Sequence, residues 1–210
     1  MKIVKIVRKD EKNVVVHFDN DEVLFLSNEI FLKNGLRKND EISEGLFSSL
    51  LKENQLFHIK QKAFRYLGRR LHSENELKIK LRQKGYDKLL IESVLQELSQ
   101  NNYLNDYDFA SQFSDENIKN KKWGSSRIET ELLKRGIPRE IISKIIEEKF
   151  PEGNNMQNAL LLAKKKMEIL SARNTDEQKL RLKLTSFLAG RGYDFETIRE
   201  AIDDVLKKDN

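Results

Sequence analysis

The 210 residues contain no cysteine, which excludes disulfides, thiol catalysis and thiolate metal sites; no window approaches the ~20 uncharged apolar residues of a membrane span. Charge is abundant in both signs, 39 Lys and Arg against 34 Asp and Glu, so most of it must form a solvated surface, and an excess of this size is weak evidence for an acidic partner. The opening stretch, MKIVKIVRKDEKN, lacks the apolar core of a secretory leader, and a soluble cytoplasmic protein is expected.

In chain order, the first fifty residues differ in kind from the rest. KIVKIVR, NVVVHFD and EVLFLS are short runs of branched and aromatic residues separated by KDEKN and NDE, the pattern of consecutive antiparallel hairpins. SNEIFLKNG follows, with Ser27 or Asn28 as N-cap and Gly35 as stop, which predicts a short helix. From about Glu44 the periodicity becomes helical, and the only prolines, Pro138 and Pro151, interrupt no amphipathic run. One phrase then recurs without gaps: ELKIKLRQKGY (76–86), RIETELLKRGI (127–137) and KLTSFLAGRGY (183–193). Each carries an apolar pair at i,i+4 (Leu77/Leu81, Ile128/Leu132, Leu184/Leu188), then a base and a glycine (Lys84-Gly85, Arg135-Gly136, Arg191-Gly192). Glycine suits the left-handed position just past a helix. Asp87, Pro138 and Asp194 then open a second helix. Another amphipathic run precedes each corner: AFRYLGRRL, DFASQFSDENIKN and ALLLAKKKMEILSA.

The fold expected is therefore mainly α: three tandem three-helix repeats forming an elongated curved molecule, preceded by a small antiparallel β unit with a short helix. The boundaries are 1–50 for the β unit and 51–104, 105–152 and 153–210 for the repeats. Residues 51–104 carry five more bases than acids, whereas 1–50 and 105–152 each carry one more acid than base.

Catalytic chemistry finds little support. His17, His58 and His72 show no metal-ligand spacing, and each reads as a surface or packing residue. Gly190 and Gly192 end a helix, whereas a phosphate loop follows a strand. Glu147–Glu148 and Asp203–Asp204 sit on helix ends, where solvation accounts for them. No catalytic residue, metal site or cofactor is expected. Binding chemistry is better represented. Between Lys60 and Lys84 bases outnumber acids nine to two. Arg65–Arg69, Lys78–Arg82 and Lys80–Lys84 are i,i+4 neighbours, which would place basic stripes on successive helices, and Arg70 adds to them. Pairs within one helix, Glu74–Lys78 and Glu76–Lys80, are the plainer use of these charges. A second candidate is KNKKWGSSR, where Trp123 stands among Lys121, Lys122 and Arg127 and could stack a base while the cations hold phosphates; equally, it could fill the elbow between two repeats. Arg135, the base before Gly136, completes the candidate set.

With these motifs in place the sequence resembles the RecX family of bacterial RecA regulators. The resemblance rests on RRLHSENELKIKLRQKGY, on NNYLNDYDFASQF, on KKWGSSRIETELLKRGIPREII and on FLAGRGYDFETIREAI, in the family's order from about Ala63 to Leu206. Asn102 stands where the family usually has Gly, Asn105 where it has Asp, and His72 where Arg is common. What the resemblance implies is a non-enzymatic protein that binds RecA, chiefly as the RecA–DNA filament along its groove. It would inhibit ATP turnover, strand exchange and coprotease activity, and thereby modulate recombination, DNA repair and the SOS response. Some members bind DNA themselves, so single-stranded DNA is a further candidate partner, and a monomer is expected. Two other readings remain: a DNA-binding protein using the corners as helix-turn-helix elements, and a helical-repeat scaffold for acidic proteins.

Overall fold

The computed structural model describes residues 1–151, 154–171 and 176–207. Strands β1 (Ile3–Arg8), β2 (Asn13–Phe18) and β3 (Val23–Ser27) form an antiparallel sheet in the order β1-β2-β3. The Asp10 carboxylate accepts from the Lys12 N–H and the Asn13 side-chain amide, closing the first hairpin. Alternate residues Val14, Val16, Phe18, Leu24 and Leu26 share one face and are buried with Ile30, Leu36, Ile42 and Leu50. A three-stranded sheet is marginal alone, and two helices cover it: α1 (Asn28–Lys33), capped by the Ser27 hydroxyl, and the first half of α2 (Glu44–Leu67).

Helix α2 spans the expected boundary at residue 50. Its buried residues divide between two cores: Leu50 packs with the sheet, Ile59 and Ala63 with α3 (Glu74–Arg82) and α4 (Lys88–Gln100). Asn54, 9 % exposed, ties the two regions. It accepts from the Ser27 N–H at 2.7 Å and donates to the Phe25 carbonyl at 2.9 Å. The helix stops at Leu67 with Gly68 as its C-cap, so Arg69 and Arg70 lie beyond it. The expected Arg65–Arg69 stripe is therefore not helical, and Leu71, the end of the amphipathic run AFRYLGRRL, is 41 % exposed. Likewise α3 ends at Arg82, which removes Lys84 from the Lys80–Lys84 stripe.

The chain divides into two compact units, Met1–Leu71 with Leu77–Leu104, and His72–Glu76 with Asn105–Asn210. In the second, α5 (Asp106–Lys121), α6 (Ser125–Lys134) and α7 (Arg139–Lys149) enclose Phe109, Ala110, Ile128, Leu132, Ile142 and Ile145. α8 (Asn154–Ser171), α9 (Glu177–Arg191) and α10 (Phe195–Lys207) enclose Ala163, Leu184, Leu188, Ile198 and Ile202. Ala172, the last residue of the run expected for α8, lies outside the described residues. The mainly helical fold with a small antiparallel sheet is thus as the periodicity predicts.

The three corner glycines all have positive φ: 81° at Gly85, 75° at Gly136 and 89° at Gly192. Asp87 caps α4 by accepting from the Leu89 and Leu90 N–H groups, while Pro138 is itself the N-cap of α7, one residue before the first helical turn. Asn102 adopts φ 59°, a left-handed conformation that asparagine tolerates better than most residues. Asn105 caps α5 by accepting from Tyr107 and Asp108, as an aspartate would. His72 is buried at 4 % exposure, in keeping with a packing role.

Candidate partner-binding surfaces

The basic segment of the first repeat is built from the end of α2 and from α3. Arg65 and Arg69 are exposed, and their side chains make no hydrogen bond or ion pair among the described residues; Arg82 and Lys84 are also exposed. Arg70 donates to the Leu71 carbonyl at 2.6 Å. Tyr66 joins the two helices, with the Lys62 ammonium 5.6 Å and the Lys80 ammonium 5.1 Å from its ring centre. Lys78 is spent differently from the sequence expectation: it reaches across to Glu92 on α4 at 2.8 Å rather than pairing with Glu74. Lys80 lies over Tyr66, and Glu76 faces Arg135 at 3.6 Å. Helical spacing allowed the in-helix pairs; α4 and the Tyr66 ring offer these side chains better-placed partners.

The second candidate lies where α5 meets α6. Trp123 is half-buried, with the Lys121 ammonium 4.5 Å and the Arg127 guanidinium 5.3 Å from its ring centre. Its other neighbour is Phe113, at 6.2 Å. The ring packs against the core of α5–α7, and Lys121 and Arg127 both lie over it. Lys122 adopts φ 52° to turn the chain. That turn is held by the third repeat: Arg191 donates to the Lys121 carbonyl at 2.8 Å and the Tyr193 hydroxyl to that of Lys122 at 2.7 Å. Burial pushes the Tyr193 phenol up to about 12, so it remains a donor at neutral pH.

Arg191 also lies over Phe187, as does Lys166, each 5.3 Å from the ring centre. A row of cations and aromatic rings thus runs from Arg127 through Trp123, Lys121, Arg191 and Phe187 to Lys166, joined between Lys121 and Arg191 by the bond to the Lys121 carbonyl. Sequence reasoning found the first half of this row. It missed Phe187, Arg191 and Lys166, which stand some 40 to 70 positions away; no local spacing announces them. Arg135 belongs to neither exposed set. Its guanidinium bonds Glu131 at 2.8 Å and lies 4.4 Å from the Phe113 ring centre, so its charge is engaged internally.

Such surfaces can hold a polyanion: exposed cations bind phosphates or carboxylates, and an aromatic face flanked by cations can stack a base. Among the described residues no group of His, Asp and Glu is arranged to hold a metal ion, and no helix is long and apolar enough to cross a membrane.

Three family models match in chain order: the first three-helix domain of RecX at residues 60–98, the second at 105–145 and the third at 154–202. A regulatory protein RecX of Clostridium botulinum (strain Alaska E43) is 27 % identical over 203 residues, covering 97 % of this chain and 94 % of that protein. That of Clostridium acetobutylicum is 27 % identical over 204 residues, with the same coverage. A crystal structure of a regulatory protein RecX superposes with a TM-score of 0.76 at 20 % identity over 97 % of this chain and 98 % of that one. RecX from Lactobacillus salivarius superposes at 0.65 and 19 % identity over 73 % of this chain and 97 % of that one. Three matched domains in the right order and relatives spanning nearly the full length agree with the helical repeats described above: this chain belongs to the RecX regulatory protein family.

Proposed function

We propose that the chain is a non-enzymatic regulator of RecA that binds the RecA–DNA filament along its groove and slows ATP turnover, strand exchange and coprotease activity. Its helical repeats would be 51–104, 105–152 and 153–210, with the β unit, 1–50, as an auxiliary module. Membership of the family carries this reading, since a RecX protein is by its name a regulator tied to RecA. The exposed cations Arg65, Arg69, Arg82 and Lys84 and the row around Trp123 support it, because a filament presents both phosphates and acidic protein surface. Direct contact with single-stranded DNA is a narrower version, favoured by the cations on either side of Trp123. Helix-turn-helix reading of duplex DNA is disfavoured by the second helices of the corners, LLIESVLQEL and EIISKIIEE, which bring acids where a groove needs cations.

The test compares affinity for bare single-stranded DNA with affinity for RecA-coated DNA at two salt concentrations. Stronger binding to the coated DNA at both is expected. Equal or stronger binding to bare DNA would overturn the RecA reading in favour of a DNA-binding protein. Failure to bind either would leave the scaffold reading.

A further inference from the structure

The corner of the first repeat differs from the other two in what it meets. A side chain at Gly136 would strike Asn75 at 2.5 Å, and one at Gly192 would strike the Arg127 backbone nitrogen at 2.3 Å, whereas one at Gly85 meets nothing within 4 Å. In both filled corners the occupant is the start of a helix. The Ser73 hydroxyl, which caps α3 by accepting from the Glu76 N–H, donates to the Arg135 carbonyl at 2.7 Å. The N–H groups of Gly124 and Ser126, at the head of α6, donate to the carbonyls of Arg191 and Gly192 at 2.9 and 3.2 Å. The matching carbonyls of Lys84 and Gly85 receive no such donor among the described residues.

Leu89 is a second, independent sign. Four residues past each glycine, the second and third repeats carry Glu140 and Glu196 facing water; the first carries Leu89, 72 % exposed. An isobutyl group left in water beside unfilled acceptors gains from being covered. The negative end of the α3 dipole favours the positive start of another helix.

We propose that the corner from Lys84 to Leu89 is a recess for the start of a helix on a partner protein, repeating a contact that the chain makes twice with itself. The partner helix would have a small cap residue to enter beside Gly85, acids in its first turn to meet Lys84 and Lys88, and an apolar side chain over Leu89. A second copy of this chain fits poorly. α3 and α6 start three residues before the aligned Leu77 and Ile128, but α9 starts seven before Leu184. Its matching N–H groups are therefore spent inside the helix.

This inference rests on the RecA reading, and the probe is the RecA filament on single-stranded DNA. Gly85→Asn fills the recess at a φ that asparagine tolerates, and Leu89→Glu restores the charge of the other repeats. A side chain at Gly85 meets nothing and Leu89 is mostly exposed, so melting temperatures should stay within about 4 °C of the unaltered chain. Each change should weaken filament binding about fivefold or more, and the pair more than ~tenfold. If Gly85→Asn perturbs melting, Leu89→Glu decides alone. Unchanged binding by well-folded variants overturns the recess and leaves the RecA reading standing. An unaltered chain that ignores filaments overturns that reading and this inference with it. Self-association in sedimentation that Gly85→Asn abolishes would reassign the recess to a second copy.

Discussion

Two carboxylates of the second compact unit respond oppositely to their surroundings. Glu131 is 12 % exposed at its side chain and faces Arg135 at 2.8 Å, Lys134 at 3.1 Å and Arg127 at 3.4 Å. The hydrogen bond from Arg135 outweighs burial and holds its carboxyl below the usual range. A depressed pKa stabilises the fold above the unfolded value, about 4.3 for glutamate, and the gain is lost as pH falls through the folded value. Glu131→Gln should thus lower the melting temperature clearly at pH 7 and little at about pH 3. Asp106, at the head of α5, shows the reverse. Burial pushes its carboxyl up although it accepts from the Glu74 N–H at 2.8 Å. With the pKa raised, any stability linked to its protonation is present below about 3.9 and disappears as pH rises through the folded value. Asp106→Asn keeps an acceptor and removes the charge; it should match the native chain at about pH 3 and melt higher at pH 7. Among the cations the same local accounting separates structure from binding. Reversing Arg65 and Arg69 to Glu breaks no internal partner, so stability should change by about 0.5 kcal/mol or less per site. Affinity for RecA filaments should nevertheless fall more than ~tenfold. Arg135→Glu should instead destabilise the fold outright, because it sets a third carboxylate beside Glu131 and Glu76.

Among elements, the helix corners separate what a sequence can say from what it cannot. That Gly85, Gly136 and Gly192 take positive φ was legible, because the i,i+4 apolar pairs fix where each helix ends. Which glycine also admits a neighbour was not, because Asn75 and Arg127 arrive from elsewhere in the chain. Asparagine at the three sites separates the two demands. At Gly85 it should cost about 1 kcal/mol or less, the residual strain of a left-handed residue. At Gly192 it should cost more than about 3 kcal/mol, since the obstacle is the Arg127 backbone. Gly136 should fall between, because its obstacle is the Asn75 side chain, and Asn75→Gly should recover part of the loss in a double-mutant cycle. Urea unfolding of the single and double variants measures all three. The two candidate surfaces divide in the same way. The bases between Lys60 and Lys84 stand out in the sequence by density, but Gly68 ends α2 before Arg69, and Lys78 finds Glu92 instead of its helical neighbour. Arg191 reads as a corner residue; only the fold of the second unit brings it to Lys121 and to the Phe187 ring.

For the molecule as a whole, the N-terminal sheet and the first repeat share one rod, α2. The change from period two to helical period located both regions. It could not show one unbroken helix serving both cores, because each half of α2 is amphipathic toward a different partner. A chain beginning at Asn54 retains Ile59 and Ala63, the residues that α2 gives to the repeat core, and should keep its remaining helices and some inhibition of RecA. An unfolded product by circular dichroism would show instead that the sheet is needed to hold the first repeat. In the intact chain, Asn54→Leu should destabilise by about 1–3 kcal/mol, since the Ser27 N–H loses its buried acceptor. If some five cations meet phosphates, affinity for single strands should fall with salt at a log–log slope near about −3.5.

The joint between the second and third repeats closes through peptide groups, the N–H of Gly124 and of Ser126 on the carbonyls of Arg191 and Gly192. A peptide group is chemically the same whichever residue bears it, so the information specifying these two hydrogen bonds is small, unlike that for the Arg191 and Tyr193 side-chain bonds beside them. It amounts to two positions, Gly124 and Gly192, where a methyl group would strike the opposing backbone at 2.4 and 2.3 Å. Drift at the surrounding positions leaves those hydrogen bonds intact. Homologous chains that keep these glycines and the Arg191 and Tyr193 donors can therefore exchange many of the other letters around such a joint, and with them the partners they recognise, without changing how their repeats are stacked.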